Sequence, residues 1–513
     1  MKKKVIIIGA GISGLSAAIY AQRCGFEVTL CEQHHTTGGM CTGWKRKGYL
    51  FEGAIHWLTG SSPKTELYQL WKETGALSDE VKVFLHDPFY TVEWEGQTIN
   101  LYRDFEKTVA ELSSLSPKDE KLLRRLAKDI KAFANLQMPI YDIKGVKSQH
   151  PKRMGFGALL KIVPLIPKML RWGKISCKEY AMQFQHPAIQ RIFRFLPDEE
   201  MSATNLIATL ATLNMGDGGY PEGGSLAMVK RMTKTFEALG GKLLLNTRVK
   251  KVNIENGSAT GITLENGILP ADAVIITQET IAAVAQLFDM PLTDKWITEL
   301  SKNTKPAVCT FVCVGIKAKL PKTPAYELAE PIKYAGKTIA EISFFNYAEF
   351  EDYAPKGCTT LTAILMGDTY DFWKKAQAEG CYEEEKRNLA NQISKAICEK
   401  YPQAAGNIEV IDIATPLTYE RYTGAYHGSW MSIVGVGDKM KIYPGFLKNV
   451  NGLYFAGHRL MNPGGLPVAV DSGRKAAQMV CKQFKVMFRS ETVININKNE
   501  HPFNHSYPNS HSA

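Results

Sequence analysis
Behind Lys2, Lys3 and Lys4, residues 5–22 carry no charge. Eighteen uncharged residues are long enough for a signal peptide or a membrane span. The pattern inside the run argues for something else. Val5-Ile6-Ile7-Ile8 is a β-branched block suited to a strand buried on both faces. Glycines then interrupt it, and Leu15, Ala18 and Ile19 recur at helical spacing. Residues 27–31 read as a second strand ending at Glu32, so the start of the chain is a strand–helix–strand unit of about 30 residues.

Farther along, the period of the apolar positions switches repeatedly. Residues 67–131 predict helices around a strand-like stretch at 90–101, and the charge-free residues 201–216 predict a buried helix. Ser225 is placed as the N-cap of a helix with Leu226, Val229, Met232, Phe236 and Leu239 on one face, ended by Gly240-Gly241. Strand-like runs follow at 242–245, 249–255, 259–264 and 271–277, with hairpin dipeptides at Asn256-Gly257 and Asn266-Gly267. Residues 326–366 have more strand character, 382–401 form an amphipathic helix, and 452–457 form a short strand running into a turn. A helix is expected from about residue 468 to 484, and the polar residues beyond it predict a disordered tail.

Composition narrows the class. The 513 residues are 45% hydrophobic and 22% charged, which excludes a disordered, collagen-like or disulfide-scaffold chain. Ten cysteines without a C-x-x-C pair fit free thiols in a reducing cytosol. The net charge is +11, but residues 143–178 hold nine Lys or Arg and no acid. The basicity is therefore local, not the coat of a nucleic-acid binder. Within that stretch, 154–172 intersperses apolar residues, Phe156 and Trp172 among them, with cations and is broken by Pro164 and Pro167. It predicts peripheral contact with an anionic membrane surface instead of a span.

The turn between the first strand and helix is Gly9-Ala10-Gly11-Ile12-Ser13-Gly14, a G-x-G-x-x-G. Gly9 allows the tight turn, Gly11 lets backbone approach a pyrophosphate, and Gly14 lets the helix pack on the sheet. Glu32, 18 residues beyond Gly14, stands where a carboxylate accepts ribose hydroxyls. Strand, helix and acid in register predict a dinucleotide site. Gly38 and Gly39 open a glycine-punctuated loop beside it. A second site is not expected, because Gly435-Val436-Gly437 is followed by Met440 where the third glycine belongs. The histidines of the tail, His501, His505 and His511, have irregular spacing, and no metal site is expected.

Four stretches together resemble one family: VIIIGAGISGLSAAIYA with Glu32, GGMCTGWKRKGYLFEGAIHWLTG, GGYPEGGSLAMVKRMTKTFEALGGKLLLNTRV, and GLYFAGHRLMNPGGLPVAVDSGRKAA. The chain, from its start to about residue 485, resembles the flavin-dependent phytoene desaturase, carotenoid isomerase and retinol saturase group within the amine-oxidase-like superfamily. The resemblance implies non-covalent FAD, since no cysteine lies between 399 and 480 to form a cysteinyl link. It implies that Gly9, Gly11, Gly14, Glu32, Gly38, Gly39 and Val249 hold the adenosine and pyrophosphate. Gly457, Gly464, Gly465, Leu466 and Pro467 would lie beside the isoalloxazine ring. Met40 stands where many relatives carry Arg, with Lys45 or Arg46 as substitutes, and His56 is the candidate contact to ring or substrate.

The implied fold is mixed α/β. A Rossmann-type FAD domain is assembled from 1–75, 218–290 and 405–485. A substrate domain is made of 76–217 and 291–404, with a tail at 486–513. The implied activity is redox or isomerising chemistry on carbon–carbon bonds of a long apolar substrate such as a carotenoid or retinoid, in the cytoplasm or at a membrane. Two alternatives stand beside it. An amine oxidase needs an aromatic cage, for which Tyr419, Tyr422, Tyr426 and Trp430 are candidates. A non-redox isoprenoid-binding protein would share the fold without the chemistry.

Overall fold
A computed structural model describes residues 2–134, 138–153, 162–194, 196, 198–322 and 324–491. Its organising feature is a five-stranded parallel sheet. The spatial order is Leu453–Phe455, Ala273–Ile276, Lys4–Ile8, Glu27–Cys31 and Lys242–Leu244. The strands come from three separate stretches of chain. Their Ile- and Val-rich sequences match burial on both faces: Val5, Ile7, Val274 and Ile275 are all buried.

Helix Ile12–Arg23 lies against this sheet and against helix Leu466–Phe484. Ser16 Oγ donates to the Val470 carbonyl at 2.7 Å. A Cβ at Gly473 would lie 2.8 Å from Ser16 Cβ, so the glycine permits the close crossing of the two helices. Helix Gly224–Ala238 covers the same core through Met228, Met232 and Phe236. Ser225 is not its cap. The cap is Gly223 at φ +72°, and Ser225 turns inward to bond Glu52. The reason is a buried acid that needs donors more than the helix end needs a cap.

The antiparallel sheet Lys251–Glu255, Ser258–Leu264, Gly267–Pro270 follows, turning at the two expected Asn-Gly dipeptides. A second, antiparallel sheet has the order Phe345–Asn346, Thr359–Met366, Cys309–Ile316, Ile408–Ala414. Helix Tyr382–Lys400 packs Leu389, Ile393 and Ile397 into its core. A helical cluster including Phe105–Leu115, Glu120–Phe133, Pro187–Arg194 and Ala203–Asn214 completes the molecule around Leu112, Leu126, Phe193 and Leu206.

Two expectations change. Trp172, read as an interfacial anchor, is buried in the helical cluster, and its Nε1 donates to Asp129 at 2.9 Å. Phe156 lies outside the described residues. The tail does not begin at 486. Phe488 is buried against Tyr20, with ring centroids 5.5 Å apart, and Arg23 donates to the Ser490 carbonyl at 2.9 Å. Apolar Val486 and Phe488 find a groove beside the first helix that the polar composition hides. Residues 492–513 lie outside the described part. No described helix is long and apolar enough to cross a membrane.

Candidate functional site
One cavity of about 2000 Å³ is walled by the carboxyl ends of the parallel strands on one side and the antiparallel sheet on the other. Carboxyl ends of parallel strands are where open α/β sheets take ligands. Gly9, Gly11, Glu32, Gly38, Gly39 and Val249 line it, as do Gly457, Gly464, Gly465, Leu466 and Pro467. Three chain regions more than 200 residues apart in sequence thus meet in one strip. Gly14 alone of the expected glycines does not line the cavity. Its Cβ would collide with the Gly9 carbonyl and lie 2.8 Å from Thr277 Oγ1, so it serves the strand–helix contact.

Three of the others, Gly11, Gly457 and Gly465, pass a different test. Gly11 has φ −73°, which any residue adopts. A Cβ there would come no closer than 3.7 Å to Gly38 O. Neither backbone conformation nor packing within the protein demands glycine at this position. A Cβ at Gly457 would meet nothing within 4 Å, and one at Gly465 only Pro467 Cδ at 3.8 Å. These positions form a cradle that side chains would fill from inside, as a closely seated flat or phosphorylated cofactor requires. Helices Ile12–Arg23 and Leu466–Phe484 begin at Gly11 and Gly465, both without a side-chain cap. Their first N–H groups and positive dipole ends are therefore available to an anion or an electron-rich carbonyl. Glu32 is aimed by two backbone donors, Ala10 N at 2.8 Å and His34 N at 3.0 Å. Each of its oxygens keeps a lone pair for a further donor.

Val249 lies two residues before its strand begins at Lys251, buried at the edge of the cavity. Met40 also lines it, but Lys45 and Arg46 do not. They sit on the hairpin Gly43–Arg46/Tyr49–Glu52, where Arg46 pairs with Asp412 at 3.3 Å. Both side chains are exposed there, away from the strip. The arginines beside the strip are Arg248 and Arg459. Arg459 is buried, pairs with Glu279 at 3.3 Å and donates to Ser432 Oγ at 2.8 Å.

His56 reaches the cavity between two phenyl rings, 4.0 Å from the Phe345 centroid and 5.7 Å from that of Phe311. Both ring nitrogens are covered by protein and lack a hydrogen-bond partner, so the ring offers the cavity its carbon edge. Burial pushes its pKa down to about 3, which keeps the imidazole neutral. His458, inside the C-terminal glycine motif, is likewise pushed to about 3 by burial and by Arg459.

The loop that carries His56 is held by a residue that the sequence pattern did not single out. Glu52 is buried and accepts from Ala54 N and Ile55 N at 3.1 Å, Ser225 N at 2.9 Å and Tyr220 OH at 2.9 Å. Tyr353 joins the cluster through a hydroxyl contact with Tyr220 and stacks on Tyr347 at 4.6 Å. The available signal was an acid closing the apolar run Tyr49-Leu50-Phe51 just before Gly53. Beyond His56 the cavity walls are mainly aromatic and aliphatic, among them Phe89, Trp94, Ile339, Ile342, Phe344 and Met366.

Of the four cage candidates, Tyr419, Tyr422 and Trp430 line the cavity. Tyr426 stacks on His427 at 4.1 Å instead. Among the described residues no two of the four are in ring contact. Nor does any group of three or more His, Cys, Asp or Glu have the arrangement of a metal site among those residues.

A protein-family model described as flavin containing amine oxidoreductase matches residues 12–481. Among curated proteins, the phytoene desaturase (lycopene-forming) of a Paracoccus species is 24% identical over 505 residues, covering 93% of this chain and 97% of that protein. The 1-hydroxycarotenoid 3,4-desaturase of a Flavobacterium species is 23% identical, covering 93% and 99%. Among solved structures, an oxidoreductase from Methanosarcina mazei superposes with a TM-score of 0.57 at 19% identity, covering 93% of this chain and all of that one. Cyclohexylamine oxidase from Brevibacterium oxydans gives 0.58 at 17% identity, covering 94% and 100%. These likenesses show the fold.

Proposed function
The chain belongs to the flavin containing amine oxidoreductase family, and from that premise we propose that it is an FAD-dependent oxidoreductase acting on carbon–carbon bonds of a long apolar polyene. Gly9, Gly11, Gly38, Gly39 and the first helix would hold the pyrophosphate, Glu32 the ribose, and Gly457 to Pro467 the ring. Those residues form one domain with segments near 1–75, 218–290 and 405–485, and the remainder shapes the substrate side. No described cysteine lies in the ring segment, which supports non-covalent retention. Bound FAD supplies two-electron chemistry. The protein's part is to orient the substrate and exclude water.

The observation that carries this reading is the cavity itself. Its volume of about 2000 Å³ is roughly twice the upper end of ordinary ligand pockets, about 1,000 Å³. It joins a glycine cradle to a long apolar wall, which is room for a dinucleotide and an extended apolar chain together. The relatives named as carotenoid desaturases, which the chain matches nearly end to end, support the same substrate class. An apolar substrate also resides in lipid, so the reading includes peripheral contact with an anionic membrane surface.

The test is anaerobic mixing of the purified yellow protein with polyene hydrocarbons and, separately, with primary and secondary amines. Bleaching of the flavin bands, or isomer change, with polyenes and not with amines is the expected result. Bleaching by amines alone, or a folded protein without flavin absorption, overturns it.

A further inference from the structure
We propose that the helical segment formed by Val163–Leu165 and Ile166–Trp172, together with the loop 436–442, forms one docking face for an anionic lipid bilayer, placed beside the cavity entrance at Met182. The proposal rests on the polyene reading and names the surface that contacts the membrane. Seven of the fifteen exposed large apolar side chains among the described residues lie in these places: Val163, Ile166, Leu170, Met182, Val436, Met440 and Ile442. Leu170 and Ile442 are each 64% exposed. Val163, Ile166 and Leu170 recur at spacings of three and four, which puts them on one side of a helix.

The two segments, more than 260 residues apart in sequence, meet at the start of helix Ala203–Asn214. Thr204 Oγ1 donates to the Met169 carbonyl at 3.3 Å, and Ser202 N to the Val434 carbonyl at 3.2 Å. Gly437 N donates to the Gly173 carbonyl at 3.0 Å and ties one to the other. The loop is itself braced. Asn462 Oδ1 accepts from Lys441 N at 2.6 Å, and Tyr443 N donates to Leu460 O at 2.8 Å. Its apolar side chains are therefore held outward, into solvent, by main-chain bonds. Apolar side chains exposed on two segments tied together in this way mark an interaction surface.

Charge selects the occupant. Arg171, Lys174, Lys178, Lys439 and Lys441 lie within or next to these segments in the chain. Of the neighbouring acids, Asp438 pairs with Lys305 at 2.8 Å, Glu179 closes the cap of helix Cys177–Ala181, and Glu199 pairs with Arg194 at 2.5 Å. Glu200 stands exposed at the edge, outnumbered by the cations. Exposed apolar side chains interspersed with an excess of cations match an interface of acyl chains under anionic headgroups. Met182, at the carboxyl end of helix Cys177–Ala181, is exposed and lines the cavity as well, so a substrate leaving lipid there would enter the apolar arm without crossing water.

The experiment is co-sedimentation of the flavin-loaded full chain with phosphatidylcholine vesicles, with and without phosphatidylglycerol, at low and high salt. Wild type is expected to bind the anionic vesicles and to be released by salt. Leu170→Ser with Ile442→Ser should weaken binding about tenfold or more. Lys439→Glu with Lys441→Glu should weaken it on anionic vesicles only. Ile268→Ser, at an equally exposed apolar residue on a distant hairpin, should bind as wild type does. Wild type remaining in the supernatant overturns the proposal, as does equal loss with Ile268→Ser. A concentration-dependent dimer dispersed by the Leu170/Ile442 pair, without vesicle binding, overturns it in favour of a second copy. Flavin reduction by polyene in detergent micelles is read separately. Reduction without vesicle binding sinks the docking face and leaves the function standing. Vesicle binding without reduction does the reverse.

Discussion
Gly11 and Gly14 sit one helical turn apart and answer to different demands. Gly14 is required by the protein, because a Cβ would overlap the Gly9 carbonyl. Gly11 is required only by what the cavity is built to take. Gly11→Ala is therefore expected to fold with wild-type stability and lose its yellow colour on gel filtration, whereas Gly14→Ala should yield little folded protein. Circular dichroism and the visible spectrum of each variant separate the two, and a Gly11→Ala protein that keeps its flavin would show that the ligand lies elsewhere. Glu32→Ala removes a charge-assisted acceptor that contributes on the order of 1.5–3 kcal/mol. Equilibrium dialysis should register a flavin affinity about tenfold lower or more. The spacing of the glycines and Glu32 was legible because each is dictated within a short strand–turn–helix unit. His56 was legible only as a candidate. Its stacking between Phe311 and Phe345 depends on residues about 255 and 290 positions away, which no local pattern announces.

The two buried histidines also set an acid limit. In the unfolded chain each takes a proton near the ordinary value of about 6.5, whereas in the folded protein both stay neutral down to about 3. Between those values the unfolded state binds more protons, so stability rises with pH and falls as pH drops from 6.5. At pH 5 the loss is about 2 kcal/mol for each histidine. Urea midpoints measured between pH 7 and 5 should fall, and His56→Phe, which keeps the stack, should make the slope shallower. An unchanged slope would mean that His56 is protonated in the fold.

At the scale of elements, Glu52 joins hairpin, loop and helix. It closes strand Tyr49–Glu52, caps the turn to His56 and anchors the first turn of helix Gly224–Ala238. Glu52→Ala would strand several buried N–H groups, each costing about 1–3 kcal/mol when unmet. The expected outcome is a loss of about 3 kcal/mol or more in urea unfolding, with weaker flavin retention because the 53–56 loop is no longer held. Retention equal to wild type in a folded variant would assign Glu52 to stability alone. Elements with their own punctuation were readable in advance: the Asn256-Gly257 hairpin, the βαβ unit and the helix after Gly465. Those fixed by tertiary demand were not. Ser225 left its capping role because Glu52 lies within reach, and Trp172 left the surface because Asp129 offers its indole a partner inside.

At the scale of the whole molecule, the chain's last described residues close what its first ones begin. Phe488 lies under Tyr20, its amide donates to the Lys147 carbonyl at 2.7 Å, and Arg23 holds the Ser490 carbonyl. The first helix is thus clasped from behind by residues 486–490 while its amino end faces the cavity. A mainly polar tail composition concealed this, since the few apolar side chains scattered along it carry no periodic signal. Truncation after Lys485 should cost several kcal/mol, because burying a phenyl ring contributes about 3–5 kcal/mol in truncation series. Truncation after Glu491 keeps the whole clasp and should unfold as the full chain does. Phe488→Ala in the full chain should reproduce most of the loss seen on cutting after Lys485. Because the clasp bears on the helix that begins at Gly11, the shorter chain should also release flavin faster on dilution. Equal unfolding midpoints for the two truncations would show that the closure adds nothing, and that the nucleotide helix is held by the sheet and by helix Leu466–Phe484 alone.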